Sequence, residues 1–122
     1  MLDLQTVTEL QAVFADIPDA LIALETIADC EGDLEDAAMA LAIRSGQQPD
    51  INNSEWLNSL AKKCRVAICR LEFRNDMING DFMSLYQHFI SIKVCPRLLI
   101  LPVLLHAHEQ GVNRFCEPID PI

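Results

Sequence analysis

The stretch PRLLILPVLLHAHEQ, residues 96–110, is the most apolar part of the chain. Its run of eight residues from Leu98 to Leu105 contains no polar side chain, although Pro102 lies within it. A helix that crosses a membrane needs about twenty apolar residues, whereas a run this short is usually buried in a protein core. The stretch therefore predicts a buried helix, and we expect no stable membrane span.

Two histidines near the end of this stretch, His106 and His108, raise the question of a metal site. On a helix, residues two positions apart point about 200° apart, so the two rings cannot share one metal ion. On a strand they would share a face. Because Gly111 is a typical helix stop, the helical interpretation is favoured, and we expect neither a metal nor a cofactor.

The composition of the whole chain favours an all-α fold. Only seven of the 122 residues are aromatic, so the core must consist mainly of leucine, isoleucine, valine, alanine and methionine. These residues suit packed helices better than a β-sandwich. We predict five or six helices in a single compact domain, with an acidic three-helix unit at 1–46, a connector at 47–53 and a longer-helix unit at 54–117.

Three short helices are predicted in the first unit. The TVTE sequence at 6–9 has the form of a capping box for the first helix, and Pro18 suits the opening turn of the second. Asp33 can cap a third helix, with Asp36 in its first turn and Gly46 as its stop.

The second unit is predicted to begin with one long helix from Asn53 or Ser54 to about Asn75. Its apolar stripe recurs at helical spacing and comprises Leu57, Leu60, Ala61, Cys64, Ile68 and Leu71. A smaller ridge on the other side contains Val66, Cys69 and Phe73. A fifth helix follows the NGD turn at 79–81, with Phe82, Leu85, Phe89 and Ile92 facing inward.

The net charge of −9 is concentrated at one end of the chain. Residues 1–50 contain eleven acids and one base, whereas residues 51–122 contain seven acids and eight bases. Nucleic acids and anionic lipids would be repelled by the first unit, so we expect no nucleic-acid partner. The acidic side is either a solvated face or a docking surface for a basic protein.

Six residues are the candidates for a partner surface. Four are acids clustered around one turn and one helix start, and two are apolar residues of the predicted ridge: Glu31, Asp33, Glu35, Asp36, Val66 and Phe73. The competing interpretation is that the acids pair within the fold with Lys63, Arg70 and Arg74, which project close together from the predicted long helix.

No catalytic assignment has a residue to support it. The chain contains no Gly-rich phosphate loop, no GxSxG motif and no Cys–His signature, so we expect no enzyme. Five cysteines form an odd set without a CxxC pair, and the first residues, MLDLQTVTEL, have no basic start. These features favour reduced thiols and a cytoplasmic protein.

Two resemblances add to this interpretation. The segment PDALIALETIADCEGDLEDAAMALAIRSG at 18–46 resembles the last two helices of a ubiquitin-associated-type (UBA-like) three-helix module, which would span residues 7–46. The sequences EWLNSLAKKCRVAICRLEFRNDMINGD and GVNRFCE are similar to parts of small all-helical cyanobacterial accessory proteins. The second resemblance, which would cover residues 54–117, implies an interaction or regulatory role and brings no catalytic residues.

We therefore expect a non-catalytic, cytosolic protein–protein interaction or regulatory module, for which a homodimer is one option. The alternative is a small-molecule or lipid-tail binder whose apolar pocket is lined by residues of 82–105.

Overall fold

The computed structural model describes residues 1–49 and 55–120, and all regular structure in these residues is helical. Within them the chain forms nine α-helices and ends in a 3₁₀ turn at Glu117–Ile119. The helices are α1 (Leu4–Val13), α2 (Pro18–Asp29), α3 (Leu34–Arg44), α4 (Trp56–Lys63), α5 (Arg65–Ile68), α6 (Leu71–Ile78), α7 (Met83–Ile92), α8 (Arg97–Gln110) and α9 (Val112–Cys116). The all-α fold class is confirmed, but the predicted count of five or six helices is too low.

The ends of α2 and α3 follow the local signals in the sequence. Pro18 occupies the first position of α2, where its missing N–H costs no hydrogen bond. The Asp33 side chain accepts a hydrogen bond from the backbone N–H of Asp36 at 3.1 Å, which caps α3. Gly46 follows α3 with a φ of +83°. The predictions for Pro18, Asp33 and Gly46 are therefore confirmed.

The start of α1 differs from the prediction. The helix begins at Leu4 because the carboxylate of Asp3 accepts a hydrogen bond from the Thr6 N–H at 2.7 Å. The TVTE sequence consequently lies inside the first helix instead of capping it. Asp3 is as good a capping residue as threonine, and the earlier cap lengthens the helix by one turn.

The predicted long fourth helix is wrong, because the chain is interrupted at Cys64 and again at Cys69 and Arg70. Residues 50–53 of the predicted connector and the predicted start at Asn53 or Ser54 lie outside the described residues. The first break leaves the stripe intact, since Leu57, Ala61, Cys64 and Ile68 are all buried. The second break ends it: Leu71, predicted to be in the core, is 85% exposed.

The second break has an identifiable cause. In a continuous helix the carbonyl of Cys69 would accept from the N–H of Phe73. Here that carbonyl accepts instead from Nη2 of Arg74 at 2.9 Å, and the Phe73 N–H donates to the carbonyl of Arg70. Arg70 itself is extended, with φ −60° and ψ 136°.

A disulfide joins Cys69 to Cys116, 47 residues further along the chain. The prediction that all five cysteines are free thiols is therefore wrong for this pair. An odd number of cysteines without a recognisable spacing gave no sign of it, because helix packing brings the two residues together. Closing a loop of this length restricts the unfolded chain and stabilises the fold by on the order of 4 kcal/mol.

The fifth predicted helix corresponds to α7, and Leu85 and Phe89 within it and Phe82 at its N-cap are buried as expected. Tyr86 is buried beside them. Ile92, also predicted to face inward, is 43% exposed. It is the last residue of α7, and the next residue, Lys93, has a left-handed φ of 55° that turns the chain away.

The run from residue 98 to 105 forms the centre of the structure. Leu99 through Leu105, including Pro102, are buried within α8. This helix packs against α2, α3 and α4 from the first part of the chain, and against α7 and α9 from the last part. The prediction of a buried helix is confirmed. Across the described ranges, no helix is long and apolar enough to cross a membrane.

Gly32, in the turn between α2 and α3, is where the start of the chain packs closely against that turn. It is buried with a φ of +86°, and its carbonyl accepts from the N–H of Leu2 at 2.9 Å. A Cβ at this position would collide with the carbonyl oxygen of Leu2. Gly32→Ala should therefore lower the free energy of unfolding by more than about 2 kcal/mol.

Gly46→Ala is the matched control, because Gly46 has nearly the same φ, +83°, but open space around its Cα. We expect it to cost only the backbone strain, about 1 kcal/mol. Urea unfolding of both variants measures the difference, and equal losses would contradict the close approach of Leu2 to Gly32.

Candidate functional site

Four carboxylates define what we call the acidic surface: Glu31, Asp33, Glu35 and Asp36. Two belong to the turn between α2 and α3, and two to the first turn of α3. The turn depends on two successive residues with positive φ, Glu31 at 56° and Gly32 at 86°. Negative side chains at a helix start interact favourably with the helix dipole, so this local arrangement is stable.

The electrostatic environment shows that like charges converge here. Partial burial raises the pKa of Glu35, and the neighbouring Glu55, Asp33 and Asp36 raise it further. The one opposing contribution is the backbone N–H of Leu57, which donates to Oε2 of Glu35 at 3.4 Å. The pKa of the Cys30 thiol is likewise raised, first by burial and then by Asp36, Asp33 and Asp29.

No cation of residues 1–49 or 55–120 forms an ion pair with the acidic surface. Arg70 pairs with Glu72. The guanidinium group of Arg74 forms a bidentate ion pair with the carboxylate of Asp120, with hydrogen bonds of 2.9 and 3.1 Å. The third ion pair joins the N-terminal ammonium group to Glu109 at 3.5 Å. The competing hypothesis, in which Lys63, Arg70 and Arg74 neutralise these acids, is therefore wrong for the described residues.

The two apolar candidates, Val66 and Phe73, lie on α5 and α6, on opposite sides of the break at Cys69 and Arg70. Val66 is 73% exposed. Phe73 is half-buried, and its ring centroid lies 5.1 Å from that of His88. They do not form the single helical ridge that the sequence predicted, because no continuous helix connects them.

Glu55 is the contributor that the sequence did not reveal. It precedes α4 by one residue, yet its charge acts on Glu35, 20 positions earlier, because α3 and α4 pack together. Proximity of this kind follows from tertiary packing and has no signal in the spacing of the residues.

The two histidines of α8 have separate partners, as expected for residues two positions apart on a helix. Nε2 of His106 lies 3.1 Å from Oδ1 of Asn58, and Nδ1 of His108 lies 2.8 Å from the carbonyl oxygen of Met77. Burial lowers the pKa of His106. In the part of the chain that is described, no three His, Cys, Asp or Glu side chains are arranged to hold a metal ion.

A groove of about 260 Å³ lies between α1 and the turn that joins α6 to α7. Leu10, Val13, Phe82 and Leu105 contribute its apolar lining, and Glu9 is one of its polar groups. Of the segment 82–105 that was expected to line a pocket, only Phe82 and Leu105 line this groove. The rest of the Leu98–Leu105 run contributes to the core, except that Leu98 is only partly buried.

No protein-family model matches this chain, and no curated protein or solved structure is significantly similar to it. The UBA-like and cyanobacterial resemblances therefore stay predictions.

The raised pKa of Glu35 has a consequence for stability. A carboxyl group whose pKa is higher in the folded than in the unfolded chain contributes stability below its unfolded pKa, near 4.5, and loses it as the pH rises through the folded pKa. Ionisation of Glu35 at neutral pH therefore lowers the free energy of unfolding. Glu35→Gln should raise the melting temperature slightly at pH 7 and leave it unchanged near pH 4.

Asp36→Asn is the control for this prediction. Asp36 is exposed in the first turn of α3, so removing its charge weakens a favourable interaction with the helix dipole. We expect a slightly lower melting temperature at pH 7. Thermal unfolding monitored by circular dichroism at both pH values gives the comparison. A lower melting temperature for Glu35→Gln at pH 7 would contradict the prediction that ionised Glu35 destabilises the fold.

Proposed function

We propose that this chain is a non-catalytic, cytoplasmic module that binds a basic segment of another protein through its acidic surface. The observation that carries the proposal is the convergence of Glu31, Asp33, Glu35 and Asp36 without a cation from the described chain beside them. The interaction with the helix dipole stabilises this arrangement, but the repulsion between like charges destabilises the folded protein. A basic partner would remove that repulsion.

The burial of Glu35 favours a binding role over a merely solvated face. A fully solvated carboxylate has little effect on its neighbours, because water screens its charge. Glu35 is only partly exposed and its carboxylate is near other acids. A lysine or arginine placed against it would therefore interact more strongly than at an ordinary surface position.

The UBA-like resemblance of residues 7–46 agrees with this proposal, since α1, α2 and α3 form three consecutive helices there. The acidic surface lies on the α2–α3 half of that segment. We propose it as the recognition element of the module and the remaining helices as its support.

Charge reversal tests the proposal. Immobilised wild-type protein should retain a basic protein from native lysate at low salt and release it at high salt, because exposed charges steer association and are screened by ions. Glu35→Lys combined with Asp36→Lys should abolish retention. With the partner purified, the same double variant should lower the association rate by on the order of tenfold or more at low salt.

The matched control reverses two exposed acids elsewhere, Asp16 between α1 and α2 and Glu117 at the 3₁₀ turn. The two double variants have the same net charge, so a difference between them reports the location of the charge. The proposal fails if both variants lose the partner equally, or if neither does.

A second candidate function is the binding of a lipid tail or another small apolar molecule in the groove beside α1. The apolar lining contributed by Leu10, Val13, Phe82 and Leu105 favours it. Its volume of about 260 Å³ lies just below the range of roughly 300–1,000 Å³ that is usual for ligand pockets, which is why we place it second.

A fluorescent fatty-acid analogue discriminates between the two candidates. If the groove is not a ligand site, the fluorescence should not change at micromolar probe, and Val13→Glu should make no difference. Saturable binding that Val13→Glu removes would favour the lipid-tail function, and Val66→Glu, at an exposed position on α5, is the control for added charge.

A further inference from the structure

The groove beside α1 adjoins the acidic surface. Thr6, Leu10 and Val13 line the groove and lie three or four positions apart, on one face of α1. Leu2, just before the helix, extends this lining at the N-terminal end of α1. The backbone N–H of Leu2 donates to the carbonyl of Gly32 at 2.9 Å. Since Gly32 belongs to the α2–α3 turn, that end of the groove meets the turn from which two of the four acids project.

The dimensions of the groove suit a single apolar side chain. Leu10, Phe82 and Leu105 are buried and form its floor, whereas Val13 is 55% exposed and forms part of its rim. The volume of about 260 Å³ is small for a pocket that takes a free ligand. Protein interfaces, however, are commonly held by one aromatic or aliphatic side chain that fills a pocket on the partner. The groove therefore fits an anchor residue of a protein segment.

The charge around the groove selects the kind of segment. Glu9 lines it and is exposed, and the exposed Asp81 lies between the lining residues Gly80 and Phe82. The described residues that line the groove include neither lysine nor arginine. A second copy of this chain would bring a net charge of −9 to this acidic side, so two copies repel each other there. A basic segment is complementary to it.

We propose that the groove and the acidic surface form one docking site for a basic segment with an apolar anchor. Lysines or arginines of the segment lie against the acidic surface, and a phenylalanine or leucine of the same segment enters the groove. The inference rests on the proposed function and adds the sequence chemistry of the partner.

The length of the groove sets the spacing in that segment. Leu10, on the floor, follows Leu2 by eight positions. At about 1.5 Å per residue, this part of the chain spans about 12 Å. An extended peptide covers about 3.3 Å per residue, so it crosses this distance in about four residues. The anchor is therefore expected about four positions from the nearest cation.

The two parts of the docking site contribute differently to binding. The exposed acids attract the cations of the segment and accelerate association, and added salt screens this attraction. The anchor leaves water when it enters the groove, which slows dissociation. Burial of one phenylalanine side chain is sufficient for an increase in affinity of about tenfold.

The test measures fluorescence anisotropy of three labelled synthetic peptides with the full chain. The anchored peptide has three lysines and a phenylalanine four positions after the last lysine, with serine and glycine between them. The second peptide has serine in place of the phenylalanine, and the third has serines in place of the lysines. We expect the anchored peptide to bind about tenfold more tightly than the second. The third should not bind at micromolar concentration.

Matched variants locate the anchor. Val13→Ser should remove most of the tenfold advantage of the anchored peptide, because it takes an apolar group from the rim of the groove. Val66→Ser is the control, since Val66 is exposed on α5, away from the groove lining, and the advantage should persist. Glu35→Lys combined with Asp36→Lys should weaken both lysine peptides and leave the ratio of their affinities unchanged.

The outcomes separate this proposal from the proposed function. Equal binding of the first two peptides, or an advantage that Val13→Ser leaves intact, overturns the docking site, while salt-sensitive binding of the serine peptide still supports the acidic surface as a binding site. Absence of binding by both lysine peptides overturns both. If the third peptide binds as tightly as the first, the groove takes apolar groups without regard to charge, and the proposal is overturned.

Discussion

The burial of α8 is the constraint on which the rest of the structure depends. Every residue from Leu99 to Leu105 is buried, so this part of the helix is apolar on all sides and other helices must cover it on all sides. Helices α2, α3 and α4 cover one part of it, and α7 and α9 another. Removing this much apolar surface from water is the main driving force for the fold, and it holds the acidic first helices against the C-terminal ones.

The region in which α4, α5 and α6 follow one another is held to the last described helix. The disulfide joins Cys69, at the second break, to Cys116 in α9. At the second break, the guanidinium group of Arg74 donates hydrogen bonds to the Cys69 carbonyl and to both carboxylate oxygens of Asp120. The guanidinium carbon Cζ of Arg65 lies 4.8 Å from the centroid of the Phe115 ring, a cation–π contact. The contacts with Asp120 and Phe115 join the interrupted region to the last described residues.

The acidic surface lies on the α2–α3 turn and the first turn of α3. Its local structure is self-contained, because the Asp33 cap, the left-handed Glu31 and Gly32, and the dipole of α3 all involve adjacent residues. Its electrostatic character is not, because partial burial of Glu35 and the approach of Glu55 both depend on the packing of α3 against α4. The geometry of the α2–α3 turn therefore depends on adjacent residues, whereas the pKa of Glu35 depends on tertiary packing.

Sequence alone determined the elements whose signals are local. The all-α class, the start of α2 at Pro18, the cap of α3 at Asp33, the stop at Gly46 and the burial of residues 99–105 could be predicted because each depends on a periodicity or on neighbours within one helical turn. Only the tertiary structure decided the breaks in α4–α6, the pairing of Cys69 with Cys116 and the exposure of Leu71. The disulfide and the Arg74–Asp120 ion pair join residues 47 and 46 positions apart, and Arg74 in turn competes with the helix for the Cys69 carbonyl. The hydrogen bond from Arg74 to the Cys69 carbonyl replaces the helical one, and no pattern within residues 64–71 indicates that Arg74 will do so or that Cys69 will pair with Cys116.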